Sequence, residues 1–216
     1  MEESIKNLEQ ELVKLEDKYG GLVTNIKRNI ASPHEPKDQN TIHQGGDRML
    51  RSKTTHGYGI WYSKYMLPFI NKKITMAEVG ILTGSGLAIW CDIFKEATIY
   101  GYDIDINIFK ENSKNLSDLG AFTSNSPHIN SIDQWKDNSE LLIETSKGKK
   151  YDIVIDDGCH ITEANVKTFQ SFLPHLSDNF VYFIEDNKKV HLALEKLYPQ
   201  FEVFHHIQMT IITPKK

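Results

Sequence analysis

The sequence predicts an α/β domain: a mostly parallel sheet with helices on both faces, closed by an antiparallel strand pair. Three observations carry this expectation. From residue 74 onward, short apolar runs alternate with helical periodicities, the pattern of successive strand–helix–strand units. Two of the runs, Tyr151-Asp152-Ile153-Val154-Ile155 and Phe180-Val181-Tyr182-Phe183-Ile184, are almost continuously apolar, as strands covered on both faces are. Four runs end in chemically loaded residues: Glu78-Val79-Gly80, Asp103, Asp156-Asp157 and Glu185-Asp186.

In chain order, Ile5, Leu8, Leu12, Leu15, Tyr19 and Leu22 recur at helical spacing with Glu and Lys between them. They predict an amphipathic helix ending near Gly20-Gly21, either a dimer arm or a helix packed on its own domain. Residues 31–57 hold Pro33, Pro36, Gly45, Gly46 and Gly57 and no apolar period. That is a long polar loop, expected to act as a lid over an acceptor, with His34, His43, Arg48 and Arg51 either reaching substrate or, the more common case, solvating a surface loop. Residues 1–57 thus form an N-terminal helix and loop, a lid or dimer arm, and 58–216 the main domain. Residues 58–70 are aromatic at helical spacing. Strands follow at 76–81, 97–102, 120–130, 151–155 and 180–184, with helices at 87–95, 107–116, 135–146, 162–176 and 192–197. Residues 201–207 and 209–212 read as the closing antiparallel pair.

Composition excludes several classes. Hydrophobic residues are 39% and charged residues 25%, which is globular. The net charge of -4 disfavours nucleic acid as a partner. Two cysteines exclude a disulfide scaffold and a cysteine zinc cluster. The Met1-Glu2-Glu3 start carries no basic or apolar leader, and no run is long enough for a membrane span. A cytoplasmic protein is expected.

The first strand runs into Gly80-Ile81-Leu82-Thr83-Gly84-Ser85-Gly86. Its glycine spacing is neither that of dinucleotide binders nor that of a phosphate-binding P-loop. Asp103 ends the second strand, where an acid takes the ribose hydroxyls of a nucleoside. A glycine loop and a ribose acid without phosphate chemistry fit S-adenosylmethionine. A tight turn beside an unrelated acid is the alternative.

Asp157, Glu185 and Asp186 offer three carboxylates on neighbouring strand ends, which suits a hard divalent cation such as Mg²⁺, Ca²⁺ or Mn²⁺. His160 lies on the loop after Asp157 and is a natural general base near neutral pH. Such a set solves the problem of an aliphatic hydroxyl, which is a poor nucleophile until a metal and a base acidify it. Helix capping by these acids is the bland reading. Cys159 carries no sign of thiolate activation.

These residues resemble the metal-dependent sugar O-methyltransferases of the macrocin and mycinamicin type, within the class I S-adenosylmethionine methyltransferases. Three segments carry the likeness: Lys53-Thr54-Thr55-His56-Gly57-Tyr58 with Tyr62 and Tyr65; Glu78-Val79-Gly80 through Ala88-Ile89-Trp90 with Ile99-Tyr100-Gly101-Tyr102-Asp103-Ile104; and Ile155-Asp156-Asp157-Gly158-Cys159-His160 with Ile184-Glu185-Asp186. The family's Ser is Cys159 here, and its acid before the lead-in lysine is Ser52. The resemblance implies a Rossmann-like class I methyltransferase fold with a seven-stranded sheet. It implies metal ligation by Asp157, Glu185 and Asp186, and catalysis by His160 and Asp157. It further implies cofactor contacts from Glu78, Gly80, Gly84, Asp103, Asp156 and, by the Asp-Gln pair near the adenine, Asp133 and Gln134. The implied acceptor is a hydroxyl of a sugar or glycan, a deoxyhexose such as rhamnose being a reasonable case. A catechol-type Mg²⁺ enzyme, a hydroxylase-like relative, a nicotinamide oxidoreductase and a non-catalytic binding module are the competing readings.

Overall fold

A computed structural model describes residues 1–20, 23–24, 43–50 and 56–215 of the chain. Most of the expected lid, with His34, Arg51 and Lys53, lies outside the described residues. Helix α1 (Glu2–Tyr19) carries Glu2 and Glu3 in its first turn and Lys18 in its last, each charge complementing the helix dipole. Its apolar stripe, Leu12, Leu15 and Tyr19, is buried in this chain's own core, with Leu12 1% exposed. The two-residue strands β1 (Val23–Thr24) and β2 (His43–Gln44) pair antiparallel. Helix α2 (Gly59–Met66) ends in a 3-10 turn at Leu67–Phe69 containing Pro68.

The main sheet then unfolds as an alternation. Strands β3 (Thr75–Val79), β4 (Thr98–Asp103), β5 (His128–Ser131), β6 (Tyr151–Asp156) and β7 (Leu176–Ile184) are joined through helices α3 (Ser85–Ile93), α4 (Asn107–Asp118), α5 (Ser139–Ser146) and α6 (Thr162–Phe172). Helix α7 (Val190–Leu197) leads to β8 (Phe201–His206) and β9 (Met209–Pro214). The seven strands lie in the order β5-β4-β3-β6-β7-β9-β8. Strands β3 to β7 are parallel to their neighbours, while β9 runs antiparallel to both β7 and β8.

Alternation along the strands builds two cores. Met76, Ile153, Ile155, Val181 and Phe183 face the layer of α1, α2 and α3, with Tyr62 and Trp90. Ala77, Val79, Val154, Tyr182 and Ile184 face the opposite layer, with Phe169 and Phe172 of α6. Because both faces are covered, every residue of β3 is buried. No helix among the described residues is long and apolar enough to cross a membrane.

The boundaries differ from expectation where local chemistry intervenes. The helix expected to reach residue 176 stops at Phe172, since Pro174 cannot donate an N–H and sits in a 3-10 turn. Strand β7 consequently starts at Leu176, opposite Tyr151. The strand expected over 120–130 shrinks to β5, and the helix expected from 135 starts at Ser139, whose N–H is taken by the Asp137 carboxylate at 2.9 Å.

The sheet reverses its winding between β3 and β6. Register aligns Val79 with both Tyr102 and Asp156, and Asp156 with Ile184. The residues just beyond these positions therefore share one edge at the switch point, where open α/β sheets hold their ligands.

Candidate active site

Glu78 is the penultimate residue of β3 and is fully buried. Gly80 follows with φ +86°, its N–H bound to the Tyr102 carbonyl at 2.8 Å. A Cβ there would collide with the Asp157 carbonyl, so glycine is needed for the first and third segments of the site to meet. Gly84, at φ +83°, starts α3 against the Phe109 ring. Asp103 lies across this loop and accepts the N–H groups of Leu82 and Asp105, both at 3.0 Å. Asp133 caps the turn before α5 through the Trp135 N–H at 3.0 Å. Gln134 and Asp156 sit deeper and face each other. Gln134 also accepts the Cys159 N–H at 2.8 Å, and Asn165 donates to the second Asp156 oxygen at 3.0 Å. Their polar atoms hold the 157–160 loop from beneath.

That loop carries Asp157 and His160. His160 adopts a left-handed φ of +55°, a strained conformation for a non-glycine residue, and its side chain is 40% exposed. Its Nε2 lies 3.9 Å from Asp157 Oδ1. Asp186, at φ +54°, comes in from the end of β7. One ligand atom each from Asp157, His160 and Asp186 lie within 4.8 Å of one another. Glu185 is adjacent but points into the fold, where the Tyr62 hydroxyl donates to it.

Sequence reasoning missed how these acids are held. Tyr58 and Tyr62, one helical turn apart, send their hydroxyls to Asp186 (2.5 Å) and to Glu185 respectively. That spacing was a readable signal, since positions four apart share a helix face. Gln208, in the β8–β9 turn, donates to Asp186 at 2.8 Å and contacts His56 Nδ1 at 2.5 Å; nothing in the sequence marked it. Arg48, expected either to reach substrate or to solvate a surface loop, instead enters the carboxylate cluster. Its Nη1 lies 2.6 Å from Glu78, its Nη2 bonds Asp157, and its Nε lies 3.6 Å from Glu185.

Burial dominates the electrostatics. Desolvation raises the pKa of Glu78, Asp157 and Glu185, while Arg48 pulls each back down. Burial and the neighbouring carboxylates raise Tyr58 and Tyr62, so both stay protonated as donors. Burial also raises the Cys159 thiol, which keeps it un-ionised.

The carboxylate oxygens of Asp157 and Asp186 fit a hard divalent cation, converging over a span suited to a single ion with the His160 imidazole beside them. The glycine loop fits a ligand that needs close backbone approach. Beside it, Glu78 Oε2 is buried without a hydrogen-bond partner among the described residues. The Trp90 indole N–H pulls that carboxyl's pKa down but does not close a hydrogen bond.

No model of a known protein family matches the chain. Over 138 residues it is 28% identical to the 8-demethyl-8-alpha-L-rhamnosyl tetracenomycin-C 2'-O-methyltransferase of Streptomyces olivaceus, covering 61% of this chain and 33% of that protein. It is also 28% identical over 138 residues to the demethylmacrocin O-methyltransferase of Streptomyces fradiae, covering 61% of this chain and 32% of that one. The match thus spans about a third of the length of these curated relatives. Among solved structures, the MycE methyltransferase from the mycinamycin biosynthetic pathway, in complex with Mg and SAH, superimposes with a TM-score of 0.58 at 18% identity. That superposition covers 74% of this chain and 50% of that one. The chain has the Rossmann-like class I methyltransferase fold and is similar in sequence to O-methyltransferases named for a rhamnosyl tetracenomycin and for demethylmacrocin.

Proposed function

We propose that this chain is an S-adenosylmethionine- and divalent-metal-dependent O-methyltransferase acting on a sugar hydroxyl, a deoxyhexose such as rhamnose being the favoured acceptor. The observation that carries the reading is the convergence of Asp157, His160 and Asp186 at the switch point, beside the Glu78–Gly80 loop. The likeness to relatives named for methylating a rhamnosyl group and demethylmacrocin supports the sugar acceptor.

When bound, the cofactor supplies an electrophilic methyl group on sulfur, and the metal acidifies the acceptor hydroxyl. The chain's own residues do the rest. Asp157 and Asp186 would hold the metal, while Glu185, the third acid of the expected set, lies behind them with its oxygens facing Tyr62 and Arg48. His160, exposed at the rim, takes the acceptor's proton at an imidazole nitrogen as the methyl group arrives. Glu78, Gly80, Gly84 and Asp103 line the cofactor cleft with Asp133, while Asp156 and Gln134 hold the loop that presents Asp157 and His160. Tyr58 and Gln208 fix Asp186, orienting it towards the same point.

The test is calorimetric titration of S-adenosylhomocysteine with and without Mg²⁺, followed by methyl-transfer assays on glycosides and catechols. Micromolar binding with turnover of glycosides supports the reading. Turnover of catechols alone reassigns the acceptor, and absence of binding in both conditions removes the cofactor from the site.

A further inference from the structure

We propose that Arg48 is the resident counter-cation of this acidic site and sets its affinity for the divalent ion, with Glu16 of α1 as its positioning residue. The inference rests on the metal-dependent reading above and deepens it.

The guanidinium reaches three strand ends at once: Glu78 one residue before the end of β3, Asp157 just beyond β6 and Glu185 just beyond β7. Two of these carboxylates, Glu78 and Glu185, are buried, and buried acids without a partner are costly. Arg48 thus supplies the charge that lets the acids be folded together whether or not a metal is bound. It is not a loose side chain. Both oxygens of the buried Glu16 carboxylate accept backbone N–H groups, that of Arg48 at 2.8 Å and that of Met49 at 2.9 Å. The carbonyls of the same two residues accept the N–H groups of Tyr58 (2.7 Å) and Gly59 (3.1 Å). The Met49 side chain is buried, 1% exposed. The strap is therefore stitched to α1 on one side and α2 on the other.

This placement has a consequence for the metal. Arg48 occupies Asp157 Oδ2 and lies against Glu185 Oε2, leaving Asp157 Oδ1 turned towards His160. An ion taken up by Asp157 must share that carboxylate with a like charge only a few ångströms away, and at such separations repulsion in a protein site is strong. Arg48 thereby weakens metal binding and makes the ion exchangeable, while keeping the fold independent of it. The same fixed cation could instead serve to align Asp157, in which case its loss would weaken binding, as loss of ligand-orienting partners does. The two roles predict opposite signs.

The experiment is calorimetric titration of MnCl₂ alone into the full chain, for wild type, Arg48→Gln, Arg48→Lys and Glu16→Gln, with melting curves at each metal concentration. Arg48→Gln is expected to bind Mn²⁺ about tenfold tighter or more, to melt lower without metal, and to recover more of its melting temperature on adding it. Arg48→Lys keeps the charge and stays close to wild type. Glu16→Gln loosens the strap and shifts affinity in the same direction as Arg48→Gln by a smaller factor. Unchanged or weaker Mn²⁺ binding by folded Arg48→Gln overturns the proposal. Should that variant fail to fold, wild-type affinity in Glu16→Gln overturns it. Absence of Mn²⁺ binding in every variant sinks the metal reading itself, whereas wild-type binding that no variant alters sinks only the role of Arg48.

Discussion

The Gln134 side chain donates to Asp156 Oδ1 at 2.7 Å, coupling the loop before α5 to the end of β6. Its other amide atom accepts the Cys159 N–H at 2.8 Å, so one side chain holds both the floor and the rim of the candidate site. Gln134→Ala leaves a buried carboxylate short of a donor and a loop N–H short of an acceptor. The expected cost is about 1–3 kcal/mol, read from urea unfolding, with a loss of methyl transfer larger than the loss of stability explains.

His160→Ala removes an exposed side chain that no core contact depends on. If His160 takes the acceptor's proton, turnover falls about 10²–10⁴-fold, while S-adenosylhomocysteine affinity and melting temperature stay near wild type. Wild-type turnover would sink the assignment.

The fold is expected to weaken in mild acid through His205. Its ring stacks on His191 at 3.8 Å and bonds Thr210 at 3.0 Å. Burial first, and then His191, lower its pKa below the ordinary 6.5. A histidine lowered in the fold contributes in full above 6.5 and loses that contribution as pH falls towards the folded value, because the unfolded chain takes the proton first. His175, lowered by burial and Lys150, acts in the same sense. Asp156 acts oppositely: burial pushes its carboxyl up to about 6, so its protonation below that pH favours the fold. The His205 share is isolated by comparing wild type with His205→Gln in urea at pH values on either side of 6.5. The stability gap between the two is expected to narrow on the acid side.

Leu12→Ala tests whether α1 belongs to the domain. The side chain lies in the core that also holds Tyr62 and Trp90, so the truncation is expected to cost about 2–5 kcal/mol. A single, earlier urea transition confirms that α1 unfolds with the sheet. An unchanged midpoint would mean that the helix is dispensable to it.

Much of this was legible in the chain. The period of the apolar residues determined the strand–helix alternation. Acids at the ends of apolar runs marked the reactive edge, because carboxylates are poor strand residues and collect where strands stop. Even Glu16 was a readable anomaly, a charge lying on the apolar stripe of Leu12, Leu15 and Tyr19. Boundaries were less legible. Pro174 and the Asp137 cap moved them by local hydrogen-bond chemistry that hydrophobic period does not express.

Tertiary structure alone decided who meets whom at that edge. Sheet order places β6 beside β3, and only this brings Asp157 against Gly80 and Glu78. Strap packing decided that Arg48, remote in sequence, reaches three carboxylates from three strands. The closing hairpin decided that Gln208 reaches Asp186. Local pattern reports each residue's own preference for helix, strand or burial. Pairing between distant charges depends on strand order and register, which the chain settles only when all its apolar faces are buried together.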